Sequence, residues 1–213
     1  MAYEHVGRVR QKQRTRDALI AAARALVADG HTPNVELAAE RAGISRTTAY
    51  RYFPNQASLL VAAHPEITTG SLLPPNPPTD VGDRVELVVA RVTDLVRDTE
   101  AQQRTMLRLS LDPERAGNKQ LLLRQGRVIG WLEEALAPLA DDVGAAAVHA
   151  LAVAIRSTIG IEAYVWLTDV AHLAPDDATA IMRWTALAQL DTARRGSLPP
   201  MLTSTAVEKP GDA

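Results

Sequence analysis

Apolar residues recur along this chain at the three- and four-residue spacing of an α-helix, and this periodicity limits the fold more than any other feature. One stripe consists of Leu19, Ile20, Ala23, Leu26 and Val27, and another of Val85, Val88, Val89, Val92 and Leu95. Runs in which β-branched and polar residues alternate, as half-buried strands require, are scarce. The sequence therefore predicts an all-α fold.

Residues that start and stop helices divide the chain into segments. We expect helix N-caps at Asn34, Ser45 and Asn55, and helix ends at Gly30, Gly43, Phe53 and near Pro65. Four prolines between positions 74 and 78 exclude a helix there and predict a stiff connection. Beyond it we expect a helix with the valine stripe, then helices over 103–111, 121–136, 143–167 and 176–195.

Composition excludes several kinds of site. The chain has no cysteine, which rules out disulfides and zinc–thiolate sites, and its five histidines never fall at metal-ligand spacing. It has neither a nucleophile elbow nor a glycine-rich phosphate loop, and Glu133 and Glu134 would point about 100° apart on a helix. We therefore expect no metal, no cofactor and no catalytic site, with an enzyme kept as the alternative from a different class.

The N-terminus lacks the apolar segment of a secretion signal. No stretch approaches the roughly 20 apolar residues of a membrane helix, so we expect a cytoplasmic protein without a membrane partner.

Charge is distributed unevenly along the chain. Residues 1–60 contain nine lysines and arginines against five acidic residues, whereas residues 61–213 contain fourteen against twenty. A basic first part ahead of an acidic second part suggests that only the first part meets a polyanion.

The most informative segment runs from Asn34 to Phe53 and is typical of two short helices joined by a tight turn. Its small residues, which allow the helices to approach closely, are Ala38, Ala39 and Ala42. Gly43 gives the turn its backbone freedom, and Ile44 can fill the corner between the helices. Apolar anchors lie on one side of the second helix at Ala49, Tyr52 and Phe53.

The other side of that second helix presents Arg46, Thr47, Tyr50 and Arg51. An arginine can donate two hydrogen bonds to guanine, and a threonine can bond a base or pack its methyl group on thymine. Hydroxyl groups and an exposed helix N-terminus suit phosphate, and a major groove accepts one helix. The pattern favours DNA recognition over a helical hairpin that merely packs.

The run from Ala42 to Pro54, AGISRTTAYRYFP, resembles the signature of the TetR family of transcriptional regulators, and the likeness spans about residues 14–60. The resemblance implies a homodimer with an N-terminal three-helix helix-turn-helix DNA-binding domain and a larger C-terminal helical domain for effector binding and dimerisation. It also implies a repressor that a small molecule releases from a double-stranded DNA operator.

The resemblance assigns roles to single residues. It places Ser45, Arg46 and Thr47 at the operator-facing end of the recognition helix, and it makes Tyr50 a phosphate contact. Gln56 stands where the family usually has lysine, so a phosphate contact there would lose its charge but keep a hydrogen bond. The full set of predicted DNA-binding residues is Arg14, Asn34, Ser45, Arg46, Thr47, Thr48, Tyr50, Arg51 and Gln56.

With this resemblance, the expected organisation has five parts. They are a flexible basic arm over 1–13, the helix-turn-helix domain over 14–65, a Pro-rich connection over 66–80, the effector-binding and dimerisation domain over 81–198, and a disordered tail over 199–213. The arm contains Arg8, Arg10 and Lys12, and it either follows DNA phosphates or is a solvated terminus.

Two long helices near the C-terminus have wide apolar faces, which predicts the dimer interface. Its expected residues are Ala147, Leu151, Ala154, Ile155, Thr158, Ile181, Trp184, Leu187 and Ala188. An effector pocket is expected at Met106, Leu109, Arg127, Trp131, Glu162 and Trp166, with Glu162 either facing a ligand or pairing with Arg127 or Arg156. A structural DNA-coating protein without an effector is the second alternative, and the large acidic C-terminal part argues against it.

Overall fold

The computed structural model describes residues 2–63, 70–111 and 126–200, with side-chain positions from residue 9 onward except that of Leu109. These ranges contain helices and turns and no strand, so the all-α prediction is confirmed. The helices are α1 (Ala2–Ala28), α2 (Val35–Arg41), α3 (Arg46–Tyr52), α4 (Gln56–Ala63), α5 (Val81–Asp98), α6 (Glu100–Ser110), α7 (Arg127–Leu136), α8 (Ala140–Val143), α9 (Ala145–Thr158), α10 (Ile161–Val165) and α11 (Pro175–Arg194). The expected helix end near Pro65, positions 121–125 and the tail beyond residue 200 lie outside the described residues.

Helix α1 begins at Ala2, so residues 2–13, which were expected to form an arm without regular structure, continue the first helix. Two side-chain hydrogen bonds, each spanning one helical turn, lie within residues 11–17. The Thr15 hydroxyl donates to the Gln11 carbonyl at 3.0 Å, and the Gln13 amide donates to Asp17 at 2.8 Å. The segment has no apolar stripe, and its absence led to the prediction of a coil. A packed helix nonetheless extends without a second nucleation step, and the run from Arg10 to Gln13 consists of good helix formers.

The N-terminal helices share one apolar core. Leu19 and Ala23 of α1 are fully buried together with Ala38 and Ala39 of α2 and Leu59 of α4. The expected caps are confirmed, since the side-chain oxygens of Asn34, Ser45 and Asn55 accept from backbone N–H groups three residues on, at 2.8, 3.3 and 2.9 Å. Gly43, between α2 and α3, has φ +64°, a backbone conformation that few other residues adopt at low cost.

The C-terminal helices enclose a second core, in which α5 and α9 each pack against both α7 and α11. The valine stripe of α5 is buried there, as the periodicity predicts. Two arginines form hydrogen bonds between these helices. Arg183 of α11 donates to Thr93 at 2.8 Å and Asp94 at 2.6 Å on α5, and Arg84 of α5 donates to the Ala135 carbonyl of α7 at 3.0 Å. That last bond satisfies a carbonyl that the end of α7 leaves without a helical partner.

The helix expected over 143–167 is broken in the structure. Helix α9 ends at Thr158, and the chain restarts after Gly160 as α10 and then a π-helical turn (Trp166–Val170). The Arg156 guanidinium lies over Gly160 and reaches Glu162 at 3.5 Å, so a side chain at position 160 would collide with it. The apolar pattern runs through the break, which is why the sequence predicted one helix.

Residues Ala145–Val170 form a stretch long and apolar enough, by length and composition alone, to cross a membrane. The expectation that no such stretch exists is therefore wrong. Part of this stretch belongs to the C-terminal core, where Leu151 and Ile155 are buried.

The π-helical turn is fixed to α6 by Arg104. Its guanidinium donates to both Asp169 oxygens at 2.7 Å and to Glu100 at 2.7 Å. The hydrogen bonds from Arg104 and Thr168 lower the pKa of the Asp169 carboxyl to about 2, and the hydrogen bonds of Arg104 to Asp169 and Glu100 raise the pKa of the Arg104 guanidinium. Both groups therefore stay charged across the ordinary pH range, and the turn keeps its attachment.

Candidate nucleic-acid interface

Helix α3 has one anchored side and one open side. Ala49 is fully buried and Phe53, just beyond the helix, is almost so, while Tyr52 is half-buried against the same core. On the open side, Tyr50 is 44% exposed and the Arg46 side chain is 71% exposed. Thr47 and Arg51 are exposed beside them. The structure therefore brings together four of the predicted DNA-binding side chains on one seven-residue helix.

Four other predicted residues already have partners within the protein. Asn34 and Ser45 cap α2 and α3, and the Thr48 hydroxyl lies 2.9 Å from that of Ser45. The Gln56 amide donates to the Pro33 carbonyl at 2.9 Å. These side chains shape the hairpin, and the bond to the Pro33 carbonyl uses one of the two N–H donors of the Gln56 amide.

Sequence reasoning missed Glu36, whose carboxylate lies 3.8 Å from the Arg46 guanidinium. Both groups are largely exposed, so water screens the pair and its net stabilisation is small. Arg46 lies near the start of α2 in this structure, because Glu36 is the second residue of that helix. The two residues lie ten positions apart, a separation that predicts no contact unless the turn between the helices is known.

Basic side chains continue along α1. Arg10, Lys12, Arg14 and Arg16 are all exposed, and no acidic residue lies between positions 9 and 16. The guanidinium carbon of Arg16 lies 5.6 Å from the centre of the Phe53 ring, a cation–π distance. This contact places the packed end of the basic segment beside the C-terminal end of α3.

Two polar contacts join the N-terminal helices to the C-terminal ones. Gln102 of α6, which is 2% exposed, donates to the Leu60 carbonyl of α4 at 2.9 Å. The hydroxyls of Thr32 and Thr105 lie 3.3 Å apart. A displacement of α6 must therefore either displace α4 or break a buried hydrogen bond, which costs about 1–3 kcal/mol.

The outer surface of α11 exposes large apolar side chains, with Trp184 at 70% and Ile181 at 42%. Leu187, Ala188 and the α9 residues Ala154 and Thr158 are half-buried. Three other residues expected at the interface, Ala147, Leu151 and Ile155, are buried within the protomer. An open groove of about 370 Å³ between α9 and the end of α11 has Leu151, Ala188, Thr192 and Pro199 in its lining.

The residues of the predicted effector pocket lie in different environments. Trp131 lies in the C-terminal core, and its indole N–H donates to the Gly70 carbonyl at 3.2 Å. Trp166 is 58% exposed, so it does not line an enclosed pocket of the protomer. Met106 and Arg127 are half-buried, and the Leu109 side chain is outside the described part. Of the two arginines considered for Glu162, Arg156 reaches it at 3.5 Å.

Two comparisons with known proteins find no relative of this chain. A scan against models of protein families finds no match, and a search of curated proteins finds no similar sequence. The resemblance to the TetR family thus depends on the residues of the 14–60 segment themselves.

Proposed function

We propose that this protein is a cytoplasmic DNA-binding transcriptional regulator that acts as a homodimer and uses α3 as its recognition helix. The main support is the division of α3, which anchors Ala49 in a core and leaves Arg46, Thr47, Tyr50 and Arg51 in solvent. A short helix held firmly on one side, with arginine, threonine and tyrosine on the other, suits a major groove. The positive charge of residues 1–60 favours the same polyanionic partner.

The second copy of the chain is proposed to cover the outer surface of α11. Trp184 is 70% exposed and Ile181 is 42% exposed, and they lie about one turn apart on one long helix, so the two side chains form a patch instead of standing singly. A two-fold axis there would pair each tryptophan with the partner's surface and present two copies of α3 to one DNA duplex. An operator for such a dimer would be an inverted repeat.

The proposal is tested by selecting double-stranded DNA from a random library with the full-length protein. We expect an enriched inverted repeat whose half-sites have centres one helical turn, about 10 base pairs, or a multiple of it apart. A variant with Arg46, Thr47 and Tyr50 all changed to alanine is the control, because these side chains are exposed and their loss leaves the core intact. Enrichment by that variant of the same repeat would contradict the role of α3. Binding without any enriched sequence would indicate a DNA-coating protein instead.

We also propose that the C-terminal helices bind a small molecule that lowers operator affinity, making the protein a repressor. The bond from Gln102 to the Leu60 carbonyl supports this proposal, because it offers a direct route from α6 to α4. A compound found by a change in tryptophan fluorescence is expected to lower operator affinity about 5–150-fold. Reciprocity requires operator DNA to weaken binding of the compound by the same factor, and unequal factors would exclude this coupling.

A further inference from the structure

The basic segment before the packed part of α1 is a helix, so its cations point in fixed directions. Buried residues of α1 begin at Leu19, and residues 2–14 extend about 20 Å beyond that packed part at the helical rise of 1.5 Å per residue. A coil could turn each of its cations towards DNA. A helix cannot, and this difference separates the four described cations into two groups.

Helical geometry places Lys12 and Arg16 on one side of α1 and Arg10 and Arg14 on the other. At 100° per residue, Lys12 lies about 20° and Arg16 about 60° from the direction of Leu19. Arg14 lies about 140° and Arg10 about 180° from that direction. Leu19 faces the core that α1 shares with α2 and α4. Lys12 therefore lies on the side of α1 that faces these two helices.

The position of Arg16 connects this side to the recognition helix. Its guanidinium lies over the Phe53 ring at the end of α3, and Lys12 follows one turn, about 6 Å, further out on the same side. Neither Lys12 nor any other residue from 9 to 16 has an acidic neighbour within that segment. The Lys12 side chain is exposed, and it follows one turn beyond the arginine that lies over Phe53 at the C-terminal end of α3.

We propose that Lys12 binds a phosphate of the DNA backbone outside the base pairs that α3 contacts, and that Arg10 stays in solvent. This inference rests on the proposed DNA-binding function. The N-terminal part of α1 would then contact the DNA backbone from one side only. This contact would lengthen the duplex that the protein covers, and it would read no base. Lys12 would add equal affinity on every sequence, because phosphates are identical along the duplex.

The test compares Lys12→Gln with Arg10→Gln in the full-length protein, since both variants remove one positive charge two residues apart. The probes are the selected duplex and an unrelated duplex of equal length, each titrated over a range of salt. One phosphate contact per protomer should flatten the log-affinity against log-salt plot by about 1.8 for a dimer in Lys12→Gln, on both probes. The slope for Arg10→Gln should change by less than about a third of that.

The outcomes separate the inference from the proposed function. Equal slope changes in the two variants, or a larger change in Arg10→Gln, would overturn the one-sided contact while the wild-type protein still binds its site. A loss confined to the selected duplex would also overturn it, because it would mean that Lys12 reads sequence. Failure of the wild-type protein to bind either duplex would refute the proposed function and the inference with it. Equal helix content by circular dichroism confirms that both variants fold alike.

Discussion

Replacing Trp184 by glutamate should convert the proposed dimer into monomers without unfolding the protomer. The indole is 70% exposed in the protomer, so its removal costs the single chain little. In a dimer each tryptophan would bury about 150–250 Å², and buried interfacial tryptophans often contribute 2 kcal/mol or more. A carboxylate at that position must also be desolvated, so we expect the dimer dissociation constant to rise by at least about 100-fold.

Leu87→Glu is the matched control for this variant. Leu87 is a large apolar residue of α5, 44% exposed, and it lies outside the proposed interface. Sedimentation analysis over a range of concentrations should show Trp184→Glu as a monomer and Leu87→Glu as the wild-type dimer. Both variants should keep the wild-type helix content, and the unfolding temperature of Trp184→Glu should fall only by the stability that association contributes. If Trp184→Glu stayed dimeric, or if both variants dissociated equally, the outer surface of α11 would not be the dimer interface.

Changing Arg46 to alanine should weaken operator binding by about 1–3 kcal/mol, roughly 5–150-fold, for each half-site and relax the preference at one base pair of each half-site. The reason is its position at the start of α3, where a guanidinium can donate two hydrogen bonds to guanine. Tyr50→Phe removes only a hydroxyl. If that hydroxyl donates to phosphate, binding of operator and of unrelated DNA should weaken by similar factors.

The control for Arg46→Ala is Arg41→Ala on the neighbouring helix. The Arg41 side chain is 43% exposed and pairs with Asp29 at 2.6 Å, so its loss removes the same charge near α3 without removing a proposed base contact. A binding-site selection with each variant measures the base preferences. Unchanged preferences in Arg46→Ala, or altered preferences in Tyr50→Phe, would reject these two roles.

Local features of the fold follow from the sequence because their causes are local. Asn34 and Ser45 bond backbone groups only three residues away, and Gly43 meets a backbone demand of its own turn. A seven-residue helix with Ala49 on one side and Arg46, Thr47 and Tyr50 on the other needs no tertiary information to be recognised. The candidate DNA-binding surface can therefore be predicted from residues 34–53 alone.

Features that depend on contacts between distant helices could not be predicted in this way. A broad apolar face on α9 has the same pattern whether it faces the core or a partner, and only the packing of α7 and α11 shows that Ile155 is internal. The N-terminal extension of α1 has no apolar stripe from which a helix could be predicted. It is helical because the helix propagates from the packed residues that begin at Leu19.

The sequence by itself determined the helical class, the caps and the exposed side of α3, because helical periodicity and capping are short-range properties. Only the tertiary structure decided which apolar residues are core and which are surface, because burial depends on which helices become neighbours. It also decided the pairing of Arg46 with Glu36, the attachment of Gln102 to α4 and the contact of Arg16 with Phe53. Each of these depends on the relative orientation of helices, which packing sets through shape and buried hydrogen bonds.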